Sequence, residues 1–319
     1  AERFTLTGHT DWVTDCAAEK DVIISASLDG TVKVWDVTSR TERLTLTGHT
    51  DWVTDCVVGN KVVVTTSRDK VLKVWDLTTG MERFTLTGYT AAAVDCMLES
   101  DSIVSVTLDG KLEVWDAATE TKRLSLAGHS TSVFGCAVGN GVIASASADK
   151  TLKVWDVATG TPRFTLTGHS GAVYGCDVGS GVIVSASTDK TLKVWDVATG
   201  KERFTLTGHT GVVYDCTVGN SVIISASDDQ TLKIWDLVTG LLRFTLIGHN
   251  GWVYGCAIGS DIAVSASDDQ TLKVWDLHTR ACVASFHADG RLYSCTLLSD
   301  GEHIVAGGEK GLYWLRFVR

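Results

Sequence analysis

The apolar positions of this chain fall into short stretches that recur in a fixed order. One copy, within residues 163–197, contains RFTLT, VYGCDV, VIVSAS and TLKVWDV. Stretches of this length that are rich in β-branched and aromatic residues are typical of β-strands and are too short for helices. Glycine- and aspartate-containing joints separate them and suit tight turns. The pattern predicts four short strands in each copy.

The copies form a continuous array with a 40-residue period and one degenerate copy at the end. An array of this kind predicts one repeat domain rather than several independent ones. We therefore treat residues 1–319 as a single domain. Its units are residues 1–40, 41–80, 81–120, 121–160, 161–200, 201–240, 241–280 and 281–319.

The strands are apolar on both faces, so a four-stranded sheet of one copy would expose apolar surface if it stood alone. Radial stacking of successive sheets buries both faces. The first unit opens with the complete strand RFTLT. The last unit has three further apolar stretches after its own opening strand, CVASF, which leaves its sheet one strand short. We therefore predict an all-β fold, an eight-bladed β-propeller of four-stranded antiparallel blades. Residues 1–7 are expected to supply the outermost strand of the last blade and to close the ring.

Charge narrows the range of partners. The formal net charge is −10, and no stripe of lysine and arginine offsets it. Phosphate backbones and anionic membrane surfaces would be repelled, so neither nucleic acid nor a membrane is expected as a partner. No apolar run approaches the length of a membrane-spanning helix.

The cysteines also follow the repeat. Seven of the nine recur every 40 residues, from Cys16 to Cys256. Equivalent thiols in neighbouring stacked sheets lie roughly 10 Å apart, which is farther than a disulfide spans. They are expected to be buried, reduced thiols, which favours a cytoplasmic location.

The repeated Gly-His pair, the S-x-S-x-D turn and the Trp-Asp pair together resemble the WD-repeat family. The first instance runs from Gly8-His9 to Trp35-Asp36, and seven of the eight units contain the pattern. The resemblance implies a structural tetrad of hydrogen-bonded side chains in each regular blade. The tetrads would be His9, Ser25, Asp29, Trp35; His49, Thr65, Asp69, Trp75; His129, Ser145, Asp149, Trp155; His169, Ser185, Asp189, Trp195; His209, Ser225, Asp229, Trp235; and His249, Ser265, Asp269, Trp275.

Histidine, serine and aspartate in one unit also resemble a hydrolase triad. Six copies of a triad, each beside a tryptophan and none in a glycine-flanked nucleophile turn, make no chemical sense as active sites. The remaining histidines have no metal-site spacing. We therefore expect no enzyme activity, no catalytic residue, no metal and no cofactor.

Two units depart from the family pattern. Tyr89 replaces the histidine of the third unit, so its tetrad is expected to be broken. The eighth unit has Leu315-Arg316 in place of Trp-Asp and Glu309 at the aspartate position. Its closing segment, residues 288–317, is similar to the final repeats of sensor regions in bacterial apoptosis-type signal-transduction (STAND) NTPases. That similarity implies a sensor that regulates an ATPase, which would lie outside this chain.

Positions that vary between otherwise similar units indicate the working surface. In the family they face the rim around the central channel. Three residues after the histidine stand Trp12, Trp52 and Trp252, either as docking anchors or as packing for neighbouring loops. Two residues before the repeated cysteine stand Phe134, Tyr174, Tyr214, Tyr254 and Tyr293, either as a cation-binding aromatic set or as channel wall. Before the tetrad aspartate stand Arg68, Asp228 and Asp268, which are solvated turn tips or residues that orient a partner.

These observations favour a non-catalytic scaffold or sensor that binds a protein or peptide at the channel mouth, in the setting of signal transduction. The isolated domain is expected to be monomeric. The alternative is a propeller that binds a small molecule or a glycan, since repeated aromatic pockets also suit sugars. Differences between the pockets of successive units argue against that alternative.

Overall fold

The propeller fold is confirmed. The structure, a computed structural model, describes residues 2–219, 221–298 and 300–317. The described residues form 32 strands arranged in eight antiparallel sheets of four. Ala1 of the expected closing segment and the last two residues of the final unit lie outside the described residues.

Every blade runs from a strand at the channel to a strand at the outer edge. The strands at the channel are β2 (Val13–Glu19), β6 (Val53–Gly59), β10 (Ala93–Glu99), β14 (Val133–Gly139), β18 (Val173–Gly179), β22 (Val213–Gly219), β26 (Val253–Ile258) and β30 (Leu292–Leu297). The second strands are β3 (Val22–Ser27), β7 (Val62–Ser67), β11 (Ser102–Thr107), β15 (Val142–Ser147), β19 (Val182–Ser187), β23 (Val222–Ser227), β27 (Ile262–Ser267) and β31 (His303–Gly308). The third strands are β4 (Val32–Asp36), β8 (Leu72–Asp76), β12 (Lys111–Asp116), β16 (Leu152–Asp156), β20 (Leu192–Asp196), β24 (Thr231–Asp236), β28 (Thr271–Asp276) and β32 (Gly311–Arg316). The outer strands are β5 (Glu42–Leu46), β9 (Glu82–Leu86), β13 (Thr121–Ala127), β17 (Pro162–Leu166), β21 (Glu202–Leu206), β25 (Leu242–Ile247), β29 (Cys282–His287) and β1 (Glu2–Leu6).

The ring closes through the N-terminal strand. β1 pairs antiparallel with β32, with Phe4 opposite Trp314 and Leu6 opposite Leu312. The channel strands of neighbouring blades contact one another all the way round, and β30 contacts β2. We number the blades 1 to 8 from β2 onward, so each blade takes its outer strand from the following sequence unit.

The hydrophobic core is divided among the interfaces between neighbouring blades. Every residue of the second strands of blades 1 to 7 is buried, which places apolar side chains on both faces of each sheet. Buried clusters join each blade to the next, and the cluster between blades 8 and 1 completes the circuit. Burial on both sides is what a single sheet cannot achieve, so each blade depends on two neighbours.

Blade 8 fills its two interfaces with side chains that the repeat does not provide. Leu315 occupies the position of the repeated tryptophan and packs toward blade 7 together with Tyr313. Trp314 packs toward blade 1 beside Leu6 and Leu312. The aromatic volume is thus moved to adjacent positions on β32, and the interfaces remain filled.

Aromatic and cationic groups cover the closing seam. The Arg40 guanidinium lies 3.8 Å above the Phe4 ring and 4.9 Å from the Trp314 ring centre. His303 stacks on Trp314 with 4.9 Å between ring centres. Since cation–π and stacked contacts each contribute on the order of 1 kcal/mol, they reinforce the β1–β32 pairing.

The cysteines are all unbridged, and only Cys282 is exposed among them. Burial raises the pKa of the Cys16 thiol to about 12. The described residues contain no helix long and apolar enough to cross a membrane.

Replacement of Leu6 by alanine tests the closing strand. Leu6 is buried against β32 and blade 1. We expect Leu6→Ala to lower the free energy of unfolding by about 2–4 kcal/mol, because it opens a cavity at the seam. Urea unfolding followed by tryptophan fluorescence measures the change. Thr5→Ala, at an exposed position of the same strand, is the control and should cost little; equal small effects for both variants would contradict ring closure.

Candidate functional site at the channel mouth

A β-bulge at the start of each channel strand positions the variable residue that stands two positions before the repeated cysteine. In blade 1 the pairing of β2 with β3 skips from Val13 to Asp15, which leaves Thr14 as the extra residue. The same shift occurs in the other blades. A bulge bends the strand and redirects the side chain of the inserted residue. The fold therefore presents one variable side chain per blade at the same level of the ring.

In blades 4 to 8 these side chains form a continuous row, which we call the aromatic arc. Its members are Phe134, Tyr174, Tyr214, Tyr254 and Tyr293. Successive ring centres lie 4.9, 5.8, 5.5 and 5.6 Å apart. Blades 1 to 3 have Thr14, Thr54 and Val94 at the same positions. The channel mouth is thus aromatic on one side and lined by small side chains on the other.

The three tryptophans that follow the repeated Gly-His pair lie in the loops just before the channel strands, and all three are exposed. Trp12, Trp52 and Trp252 are 43%, 40% and 47% exposed. Each also has a neighbour: Trp12 lies 5.7 Å from Tyr293, Trp252 lies 6.2 Å from Tyr254, and the Arg68 guanidinium sits 4.2 Å above Trp52. Docking and packing are therefore compatible roles for these residues, since one side packs while the other remains accessible.

In each regular blade, a backbone hydrogen bond holds the residue before the tetrad aspartate next to the residue three positions after the histidine. The Arg68 amide donates to the Trp52 carbonyl at 3.0 Å, and the Asp268 amide donates to the Trp252 carbonyl at 2.8 Å. Arg68 lies on blade 2, and Asp228 lies on blade 6 at the opposite side of the ring. Burial raises the pKa of Asp228 above its ordinary value.

Blade 8 adds Arg291, a charged residue at the channel mouth that the sequence analysis missed. Arg291 Nε lies 3.1 Å from Asp268 Oδ1 and 3.7 Å from Glu309 Oε1. The Tyr293 hydroxyl donates to Glu309 Oε1 at 3.1 Å. This bridge lies between the blades that hold Trp252 and Trp12. The Glu309 amide donates to the Arg291 carbonyl at 3.0 Å, as the Arg68 amide donates to the Trp52 carbonyl. Arg291 therefore corresponds to the exposed tryptophans, and Glu309 corresponds to Arg68 rather than to the tetrad aspartate that the sequence predicted, because the altered repeat obscured the alignment of the eighth unit.

The tetrads are present as hydrogen-bonded chains in the regular blades. In blade 1, Trp35 Nε1 donates to Ser25 Oγ at 2.9 Å, Ser25 Oγ lies 2.8 Å from His9 Nε2, and His9 Nδ1 lies 2.8 Å from Asp29 Oδ2. The histidine–hydroxyl and histidine–aspartate contacts recur at 2.7–2.8 Å in blades 2, 4, 5, 6 and 7. A neutral imidazole that donates through Nδ1 and accepts through Nε2 satisfies the hydroxyl, the histidine and the aspartate together.

Two tetrads differ from expectation. In blade 3 the Tyr89 hydroxyl lies 2.7 Å from Ser105 Oγ and accepts from Trp115 Nε1 at 2.9 Å. Tyr89 therefore keeps serine and tryptophan connected, because the phenol extends farther than an imidazole. The predicted break lies on the aspartate side, where Asp109 is bonded to Thr90, Thr107 and Lys111 instead. In blade 4, Trp155 Nε1 has no hydrogen-bond partner within the described ranges.

The tetrads are unsuited to catalysis. Burial lowers the pKa of His49, His129 and His169, so these imidazoles are held neutral. Against the opposing effect of burial, hydrogen bonds from Thr191 and His169 lower the pKa of Asp189 to about 2. The histidine, hydroxyl and aspartate of each such chain are bonded to one another inside a blade, which leaves no free nucleophile in the chain to meet a substrate.

Below the mouth, carboxyl groups link blades 1 to 4. Asp55 Oδ2 accepts from the Cys96 amide at 2.7 Å, and Asp95 Oδ2 accepts from the Cys136 amide at 2.6 Å. Burial and the charge of Asp95 raise the pKa of Asp55 to about 7, and burial raises the pKa of Asp95 to about 6. Burial and the charge of Asp55 also raise the pKa of Asp15. At least part of this carboxyl row is protonated near neutral pH.

The family described as "WD domain, G-beta repeat" matches residues 2–36, 40–76, 120–156, 160–196, 200–236 and 240–276. The chain belongs to the WD40 family. The residues that would form the third and eighth repeats lie outside these matches, in agreement with Tyr89 and with the altered blade 8.

Individual proteins resemble this WD40 propeller in part or throughout. Protein transport protein SEC13 of Chaetomium thermophilum (strain DSM 1495) is 56% identical over 39 residues. That match spans 11% of this chain and 13% of the relative's length. A crystal structure of the computationally designed Ika8 protein superposes with a TM-score of 0.92 at 28% identity and covers 98% of both chains. WD40 propellers are generally non-catalytic scaffolds that bind proteins.

Tyr89→Phe tests the bridging hydroxyl. The variant leaves Ser105 Oγ and Trp115 Nε1 without their partner inside blade 3. We expect the free energy of unfolding to fall by about 1–3 kcal/mol, because buried polar groups lose a hydrogen bond. Chemical unfolding provides the measurement. A loss below about 0.5 kcal/mol would show that the hydroxyl is not part of the network.

The Asp55→Asn variant tests whether the buried carboxyl groups below the channel mouth are protonated near neutral pH. Because the pKa of Asp55 is raised in the folded chain, its contribution to stability is fully present below about pH 4 and is lost as pH rises through 7. Asp55 should therefore cost the wild type stability between pH 5 and pH 8 relative to Asp55→Asn, on the order of 1 kcal/mol once partial exposure of the carboxyl group is allowed for. The difference between the two proteins isolates this effect from the tetrad histidines, whose lowered pKa acts in the opposite direction. Chemical unfolding of both proteins across that pH range measures the difference. A variant whose free energy of unfolding has the same pH dependence as that of the wild type would contradict the raised pKa of Asp55.

Proposed function

We propose that this WD40 propeller is a protein-interaction scaffold or sensor whose partner docks at the channel mouth, over Trp12, Trp52 and Trp252. The observation that supports it best is the unbroken row of aromatic side chains from the half-buried aromatic arc to the exposed Trp12, whose ring lies 5.7 Å from Tyr293. A few residues supply most of the binding energy at protein interfaces, and large, rigid aromatic side chains are enriched among them. Arg68, Asp228 and Asp268 provide charges of both signs that orient the partner.

The shape of the surface favours a protein or peptide over a small molecule. The cavity beside Trp12 has a volume of about 220 Å³ and is lined by His9, Thr10, Asp11, Glu309 and Lys310. Small-molecule sites usually enclose about 300–1,000 Å³ with mostly apolar walls. A shallow polar hollow beside exposed tryptophans suits an inserted side chain at the edge of a broad contact.

The proposal also covers the larger protein to which this propeller would belong. The similarity of the closing segment to sensor repeats supports a regulatory region of a larger signalling NTPase in the cytoplasm, with the propeller itself monomeric. The net charge of −10 supports a partner other than nucleic acid or an anionic membrane. The tetrad histidines, hydroxyls and aspartates are bonded to one another, which supports a protein that binds its partner without catalysing a reaction.

Triple replacement of the tryptophans tests the docking face. We expect Trp12→Ala/Trp52→Ala/Trp252→Ala to weaken binding of partners at least tenfold, because each removes a large contact. Peptides selected on the wild-type chain from a random library serve as probes, and fluorescence anisotropy measures their affinity. Since the replaced side chains are surface groups, the variant should unfold at a temperature close to that of the wild type.

Met81→Ala provides the matched control, because Met81 is 70% exposed but lies beside the outer strand of blade 2. This control should bind the selected peptides as the wild type does. Equal affinity of the triple variant and the wild type for every selected peptide would reject the channel mouth as the docking face.

A further inference from the structure

The outer strands of the blades are protected at one recurring position, which lies opposite the repeated tryptophan in the pairing of the third and outer strands. Blades 1 to 5 have a charged residue or a proline there: Glu42, Glu82, Lys122, Pro162 and Glu202. Charges and prolines at sheet edges discourage pairing with another strand. In blade 6 the position is Leu242, and in blade 7 it is Cys282. The lysine on the neighbouring strand is buried in blade 6 and only half-buried in blade 7. The edge of β25 lacks the usual protection.

The change also removes the counter-ion of a buried lysine. Lys33, Lys73 and Lys193 each meet a glutamate of the outer strand at 2.7–2.8 Å. The equivalent Lys233 is only 9% exposed, and its Nζ is hydrogen-bonded to Thr245 Oγ1 at 3.0 Å. Within the described ranges no carboxylate lies within ion-pair distance of Lys233. A buried ammonium without a carboxylate is unfavourable and is ready to accept one.

Apolar side chains surround this lysine. The pairing of β24 with β25 sets Lys233 opposite Thr245, between Leu242 at one end and Ile247 at the other. Ile247 is 76% exposed, and in blades 1, 2, 4 and 5 the equivalent residue is threonine. Val238 and Leu241, in the adjoining turn, are 77% and 68% exposed. We call Leu242, Lys233, Thr245 and Ile247 the blade-6 edge.

We propose that the blade-6 edge is a second interaction surface, which takes an extended peptide segment carrying a carboxylate between two apolar side chains. β25 is the terminal strand of its sheet, so one side of its backbone is open to a further strand. Strand addition supplies main-chain hydrogen bonds, and alternate side chains supply specificity. The surface lies on the outer circumference, so this proposal stands apart from docking at the channel mouth.

The register defines the segment. The β24–β25 pairing skips Arg243, so Leu242, Thr245 and Ile247 share one face although Leu242 and Thr245 are three residues apart. The regular strand β24 meets these three with residues two apart, and a regular added strand would meet them with the same spacing. A segment paired along β25 would place apolar residues beside Leu242 and Ile247 and an acidic residue beside Lys233 and Thr245. The pattern is therefore apolar-x-acidic-x-apolar, and the carboxylate takes the place that glutamate occupies in blades 1, 2 and 5.

The test uses fluorescently labelled synthetic peptides of sequence Ser-Val-Ser-Glu-Ser-Val-Ser and the full chain. Replacing the peptide glutamate by glutamine should weaken binding about tenfold, as expected for loss of a charge-assisted hydrogen bond. Leu242→Glu should also weaken binding at least tenfold, because it restores the ion pair seen in the sister blades. Equal affinity for the two peptides, an unchanged affinity of Leu242→Glu, or no saturable binding would overturn the proposal.

Transfer of the surface to another blade gives a positive control. In the Leu242→Glu background, Glu202→Leu with Thr207→Ile should recover binding on blade 5, since Lys193 stands in the equivalent place. The triple tryptophan variant should bind the peptide as the wild type does, which separates this surface from the channel mouth. Failure of the transfer, or concentration-dependent dimers that Leu242→Glu disperses, would instead show that the edge meets a second copy of the chain.

Discussion

The structure depends on burial of apolar side chains between neighbouring blades. Each sheet is apolar on both faces, so no blade is stable unless a neighbour covers each side. A linear stack would leave two faces uncovered at its ends. Pairing of β1 with β32 removes those ends and places Leu6, Leu312 and Trp314 in the same cluster as Val13 and Trp35.

Closure also creates the site. Because every channel strand has a bulge at the same place, the ring displays one redirected side chain per blade, and their identities alone determine the character of the mouth. Phe134 and the tyrosines from blade 5 to blade 8 make one side aromatic, whereas Thr14, Thr54 and Val94 leave the other side open. The tetrads within the blades have a different role, because they satisfy buried polar atoms and hold the strands of a blade in register.

The repeat made the fold predictable from sequence, because seven copies of one pattern specify strand lengths, turns and burial many times over. Features that depend on a single unit were not predictable. The reach of the Tyr89 hydroxyl to Ser105 and Trp115 requires the distance between strands, which the sequence pattern does not contain. Arg291 lies in the degenerate unit, where the altered repeat hides its correspondence to Trp12, Trp52 and Trp252 until the backbone pairing is seen. The importance of Leu242 becomes visible only when the pairing shows that this position holds the counter-ion of a buried lysine.

Native-state hydrogen exchange of the β1 amides tests the account most directly, because every interface and the channel mouth itself require a closed ring. Closure predicts that the β1 amides paired with β32 exchange as slowly as the equivalent amides of β5, which pair with β4. Exchange of the β1 amides at the rate of an unfolded peptide, while β5 remains protected, would contradict it.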